Sequence, residues 1–236
     1  DLKKRIKSVK NTSQITKAME AVSATKMRKS QEFALRARPF ANASLQMLKN
    51  LLTRTAILPE ILKTREVRHT ALLVITSDKG LAGAFNSNVL KKAENWLKIE
   101  KNFKNSSVLI TVGKKAKDYL ERRKFVSYKS FIGFGDFTTL KDTLPVSETI
   151  LKGFENHTWD EVYAVYTNFR STLRQEAVLR KILPVSKDSV EEIVSGLIPE
   201  RGRYSVDIAT TYHLPPTTYN YEYKFEPSPA EILNEL

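Results

Sequence analysis

The chain has 236 residues, 41% hydrophobic and 28% charged, with 39 Lys+Arg against 26 Asp+Glu, a formal net charge of +13 and no cysteine. These values fit a folded chain of one or two domains, not a disordered one. The lack of cysteine excludes disulfides, zinc–thiolate sites and a thiol nucleophile. No apolar run reaches the ~18–20 residues of a helical membrane span, and the opening DLKKRIKSVK has no signal-peptide apolar region.

The charge is concentrated at one end: the first 68 residues hold 16 Lys+Arg and 5 Asp+Glu, the remaining 168 hold 23 and 21. Pro39 is the first proline and Gly80 the first glycine, so residues 1–38 carry neither helix breaker and are dominated by good helix formers. A single helix over that stretch would be about 57 Å long at 1.5 Å per residue, against a usual length of ~11–12 residues. At 100° per residue Leu2, Ile6 and Val9 form one apolar stripe, while Ile15, Met19 and Val22 start another, so no single heptad seam runs the length. The basic residues spread over more than half the circumference, which argues against a helix lying on a membrane with one apolar and one basic face. Thr16 to Thr25, rich in Ala, Ser and Thr, makes a thin helix that needs neighbours on several sides. Pro39 removes a backbone donor and predicts a kink, but Phe40 to Leu52 resumes the helical pattern and Pro59 stops it. The expected helix therefore spans 1–58, with a charged connector over 59–69.

From residue 70 the period changes. TALLVITS (70–77), SSVLITV (106–112) and EVYAVYT (161–167) read as short buried strands, and FNSNVLKKAENWLKIE, GKKAKDYLERRK and TLKDTLPVSETILKGFE read as helices between them. Strands alternating with helices predict an α/β layer over 70–229 with a mainly parallel sheet. TLRQEAVLRKILPV and TYNYEYKFEP are expected as further strands. SPAEILNEL begins a new helix over 230–236, with Ser228 as N-cap and Pro229 at its first position.

SDKGLAG lies between a strand and a helix, where nucleotide phosphates sit in α/β folds. It lacks the third glycine of G-x-G-x-x-G and the spacing of G-x-x-x-x-G-K-[ST], so a structural tight turn is the expectation. Asp78 and Lys79 within it read as a surface pair or a partner contact. His69, His157 and His213 have no paired-ligand spacing, which leaves solvated or capping roles. No G-x-S-x-G and no cluster of acids and nucleophiles stands out. The basic helix fits either nucleic-acid phosphates or an acidic protein surface. The first reading would make the chain a basic coiled-coil nucleic-acid-binding protein, and the glycine turn would make it a nucleotide-binding α/β enzyme.

Lys4 to Ala41 (KRIKSVKNTSQITKAMEAVSATKMRKSQEFALRARPFA) closely resembles the N-terminal helix of the gamma subunit of F-type ATP synthases. Thr76 to Lys91 (TSDKGLAGAFNSNVLK), VYTNFRSTL and YEYKFEPSPAEIL are similar to further segments of that family, in a form closer to bacterial members; Ala82 stands where many members have cysteine. The resemblance implies an N-terminal helix that forms half of an antiparallel coiled coil, and a Rossmann-like α/β base. It also implies a second long helix beginning near Ala230, so that the intact protein would exceed 26.9 kDa. The implied function is that of a non-catalytic rotor: a central stalk turning inside the hexameric ring of alpha and beta subunits of a proton-translocating ATP synthase. The implied partners at its base are the epsilon subunit and the membrane c-ring, with no cofactor, no nucleic acid and no direct membrane insertion. Its implied place is peripheral, on the cytoplasmic face of the bacterial inner membrane. Thr16, Lys17, Met19 and Glu20 match the segment that faces the catalytic subunits, and Lys26, Arg28, Lys29, Asp78 and Lys79 are the further contacts this reading expects.

Overall fold

The computed structural model describes residues 1–54, 59–102, 106–136, 138–171, 174–186 and 189. The chain divides into two compact units, Asp1–Ala43 and Ser44–Leu236. The first consists of the greater part of helix α1 (Leu2–Arg54), whose last residues belong to the second. Pro39 lies inside the assigned helix, so the helical pattern read on both sides of it forms one element. The Thr12, Thr16 and Thr25 hydroxyls donate to the carbonyls of Ser8, Ser13 and Ala21, each at 3.0 Å. These hydroxyls are satisfied by the helix's own backbone, and the helix surface stays thin.

The second unit holds a five-stranded sheet in the order β3-β2-β1-β4-β5. Its strands are β1 (His69–Ile75), β2 (Ser106–Val112), β3 (Ser127–Phe131), β4 (Glu161–Phe169) and β5 (Gln175–Leu183). The first four are parallel and β5 runs antiparallel to β4. Helices α2 (Phe85–Asn102), α3 (Lys114–Arg122) and α4 (Leu140–Glu155) make the crossovers. Side chains alternate between two cores. Leu72, Val74, Leu109 and Val165 pack with α2 and α3, while Ala71, Leu73, Ile110, Val162 and Ala164 pack with α4 on the other face. Burial on both faces is why β1 reads as an unbroken apolar run and not as an alternation.

Two glycines mark close approaches. At Gly113 (φ 92°) a Cβ would meet the Thr76 carbonyl oxygen at 2.2 Å, and at Gly153 it would meet the Trp159 ring at 1.9 Å. Trp159 fills that gap, and its indole N–H donates to the Ile150 carbonyl at 3.1 Å. His157 takes the left-handed position (φ 55°) that closes α4, with the Thr158 amide donating to the Gly153 carbonyl at 2.8 Å. This is a capping role of the kind expected for an isolated histidine.

The strands read over 70–77, 106–112 and 161–167 and the three helices between them are present, and the segment 172–185 supplies β5. Strand β3 was not anticipated, because SYKSF is short, polar and at the edge of the sheet. Its pairing with β2 is interrupted by a register shift at Tyr128, and Lys129 on it is exposed, its Nζ donating to the Thr149 hydroxyl of α4 at 3.1 Å; a bulge and a lysine are both common protections of an edge strand. The expected strand TYNYEYKFEP and the helix start at 230–236 lie outside the described residues.

Candidate functional site

Helix α1 places all seven of its expected contact residues on an exposed surface: Thr16, Lys17, Met19, Glu20, Lys26, Arg28 and Lys29. At about 100° per residue they do not share one face. Met19, Lys26 and Lys29 fall within one sector together with Ile15 and Val22; Thr16 lies next to it, and Lys17, Glu20 and Arg28 lie on the far side. Leu2, Ile6 and Val9 are also exposed, along a different line. The helix thus shows apolar and basic groups in several directions.

The second candidate is the turn between β1 and α2. The Ser77 amide donates to the Asn86 side-chain oxygen at 3.0 Å, and the Asn86 amide donates to the Ser77 hydroxyl at 2.8 Å, which ties the strand end to the first turn of α2. The Ser77 hydroxyl also donates to the Lys79 carbonyl at 2.6 Å. Asp78 accepts from the Lys114 amide at 2.7 Å, at the start of α3, and from the Gly133 amide at 2.9 Å, beyond β3. Its carboxylate therefore binds three strand ends together, and sits where the α3 dipole favours a negative charge. Lys79 pairs not with Asp78 but with Asp136, at 3.4 Å on the surface. Leu81 stands at the tip, 92% exposed, with a left-handed backbone (φ 58°). The glycines thus serve a turn built from side-chain to backbone bonds, which supports the structural reading over a phosphate cradle. Beside it a cavity of about 620 Å³ has a floor of core aliphatics, among them Leu73, Ile75 and Ile150, and a rim that includes Asp78, Lys79 and Asp136.

A third feature lies where the connector meets the sheet. Leu62, in a 3₁₀ turn over Glu60–Leu62, is buried, and the Ile61 carbonyl accepts from the Val185 amide at 2.9 Å. Arg65 then enters the α4–β4 corner. Its Nε donates to Asp160 Oδ1 at 2.8 Å, its Nη2 donates to the carbonyls of Phe154 (2.7 Å) and Trp159 (2.6 Å), and its guanidinium lies 4.2 Å from the Phe154 ring centre. Nη1 makes no hydrogen bond and faces Glu60 at 3.7 Å. Asp160 Oδ2 accepts from the amides of Arg68 (2.9 Å) and His69 (3.0 Å), and the Asp160 amide donates to the His69 carbonyl at 2.7 Å. Burial pushes the Asp160 carboxyl up, but the His69 and Arg68 amides and Arg65 outweigh it and hold it below the usual carboxylate value.

A family model described as ATP synthase matches residues 1–236. The ATP synthase gamma chain of Acetobacterium woodii, described as sodium ion specific, is 35% identical over 237 residues, covering 100% of this chain and 75% of its own. The chain belongs to the ATP synthase gamma family. Other gamma-family relatives are the gamma chain of Pelotomaculum thermopropionicum, 36% identical across all of this chain and 74% of its own, and the chloroplastic gamma chain 1 of Arabidopsis thaliana, 32% identical across all of this chain and 67% of its own. Among solved structures, a chain from the Tetrahymena thermophila mitochondrial ATP synthase, central stalk and c-ring, superposes with a TM-score of 0.54 at 23% identity, covering 80% of this chain and 79% of that one. That likeness speaks for the fold.

For a gamma-family chain these features differ in legibility. The residues expected as contacts on α1 were legible because they lie in one long local motif. Asp78 was noticed, but its two amide partners are 36 and 55 residues away, and no sequence spacing announces them. Arg65 and Asp160 were missed altogether: a lone arginine in a charged connector and an aspartate before a strand are ordinary, and their meeting across 95 residues is a product of the parallel β1–β4 pairing.

Proposed function

We propose that this gamma-family chain is the central-stalk rotor of an ATP synthase: a non-catalytic shaft that couples ion-driven rotation to ATP synthesis or hydrolysis in a surrounding alpha/beta ring. The observation that carries the reading is α1 itself. It displays Leu2, Ile6, Val9, Ile15, Met19 and Val22 to solvent in two directions, among basic residues spread around its circumference. Enclosure in a protein bore would bury both stripes and would set the basic groups against acidic loops. Each orientation of such a shaft favours a different conformation of the ring sites, which is allostery between shaft angle and nucleotide affinity.

In this reading residues 1–58 form the shaft, 59–69 the connector and 70–229 the base. Met19, flanked by Thr16, Lys17 and Glu20, contacts the catalytic subunits, with Lys26, Arg28 and Lys29 further along. Asp78 and Lys79 present the base turn to the same ring, and the epsilon subunit and the membrane c-ring bind the base. The complex is peripheral on the cytoplasmic face of a bacterial inner membrane; no described helix is long and apolar enough to cross one. The coupled ion is a proton or a sodium ion.

The decisive experiment is co-purification: a tagged chain recovers the alpha, beta and epsilon subunits from native membranes, and recovery of none of them overturns the proposal. Because these 236 residues hold no cysteine, Met19→Cys supplies a cross-linking site on α1, expected to trap catalytic subunits. ATP-driven acidification of vesicles without sodium tests the ion.

A further inference from the structure

We infer that the Arg65–Asp160 clasp is a torque-bearing anchor: it fixes the connector that leaves α1 to the sheet of the base, so that rotation of one is delivered to the other without slippage. The inference rests on the rotor reading above, and names the residues that such a rotor needs at this point. Torque exchanged between the shaft helix and β1 along this strand of the chain has to pass through residues 59–68, and a charged ten-residue segment left unattached would behave as a soft linker. Here it is attached at successive points. Leu62 is buried and the Ile61 carbonyl is bonded to Val185, just beyond β5. Arg65 is bonded to Asp160 and to the Phe154 and Trp159 carbonyls. The Arg68 and His69 amides close on the other oxygen of Asp160. A pull on the connector therefore spreads into the C-terminal end of α4, packed in one core, and into the starts of β1 and β4, strands that contribute to both.

The chemistry suits a mechanical joint better than a stabilising one. A partly buried ion pair adds little net stability compared with an apolar replacement, but it specifies one geometry. An arginine fork fixes direction as well as distance, and stacking on Phe154 blocks its rotation. Lysine at this place would keep the charge and lose the fork, so Arg65→Lys is expected to be intermediate between the wild type and Arg65→Gln.

The test uses the assembled synthase in sealed vesicles, measuring ATP hydrolysis and ATP-driven ion pumping together against a rising opposing gradient. Arg65→Gln is expected to lower the pumping-to-hydrolysis ratio severalfold, with the loss growing as the gradient rises, because a loosened joint yields under load. A role confined to folding would lower assembly or the melting temperature and leave that ratio unchanged with load. A second chain, Arg65→Gln with Ile61→Cys and Val185→Cys, bridges two residues whose backbones already meet through a hydrogen bond and has no native cysteine to compete. Assembled oxidised, it is expected to couple as the wild type does, and to lose coupling under load on reduction. This chain also gives the answer if Arg65→Gln alone assembles poorly. A ratio that does not depend on load in Arg65→Gln, or on reduction in the bridged chain, overturns the anchor. If instead the wild-type chain neither co-purifies with the ring nor supports pumping, the rotor reading fails.

Discussion

Val22 on α1 is 55% exposed and Val74 in β1 is fully buried, and the contrast extends to their surroundings. In the base every central strand is covered on two faces, so its apolar residues hold each other in place. On α1 the apolar residues are displayed, the threonines are turned back onto their own helix, and the charges face many ways. Among the described residues the base buries its own apolar side chains, whereas the helix leaves its own displayed. The two regions should therefore respond oppositely to substitution when the chain is alone and when it is assembled.

The largest effect is expected in the core. Trp159→Ala should cost about 3–5 kcal/mol of base stability in urea unfolding followed by circular dichroism; a loss no larger than that of an α1 surface substitution would break the contrast. Asp160→Ala leaves Arg65 Nε and two backbone amides without their acceptor and should cost about 3 kcal/mol. The pH dependence sharpens this. The folded-state value of Asp160 is depressed, so its contribution is fully present above the ordinary carboxylate value near about 3.9 and is lost as pH falls through the lower folded value. Asp160→Asn should therefore flatten the acid limb of the stability curve, and an unchanged limb would show that the clasp does not titrate with folding. Gly153→Ala drives a methyl group into Trp159 and should cost about 1–3 kcal/mol.

Smaller effects probe the edges of the comparison. His157→Gly relieves a left-handed backbone at the end of α4 and should raise the stability of the base by roughly 1 kcal/mol. Met19→Ala should change the stability of the isolated chain by less than about 0.5 kcal/mol, yet reduce ATP-driven pumping in the assembled synthase. A Met19 variant with normal coupling would remove that residue from the contact surface.

Legibility followed sequence separation. Strands β1, β2 and β4 were readable because burial on both faces leaves compact apolar runs, and β5 because its neighbours frame it. Strand β3 was not: one residue of bulge, a lysine and a short span conceal a strand that exists only because the edge of β2 is there to receive it. The turn at Asp78 was recognised as structural, while the two amides it holds were not, since they become neighbours only when three parallel strands end side by side. Arg65 resembled any other charge of the connector until the α4–β4 corner closed around it.

The sequence by itself determined the long basic helix, the change of period at residue 70, the α/β class and the family, because all of these reside in local composition, in periodicity and in contiguous motifs. Only the tertiary structure decided that the connector is clasped to the sheet, that Asp78 is a brace and that Lys79 reaches Asp136. Those facts depend on distances between residues tens of positions apart, and such distances are set by strand register and helix packing and by nothing a local window contains.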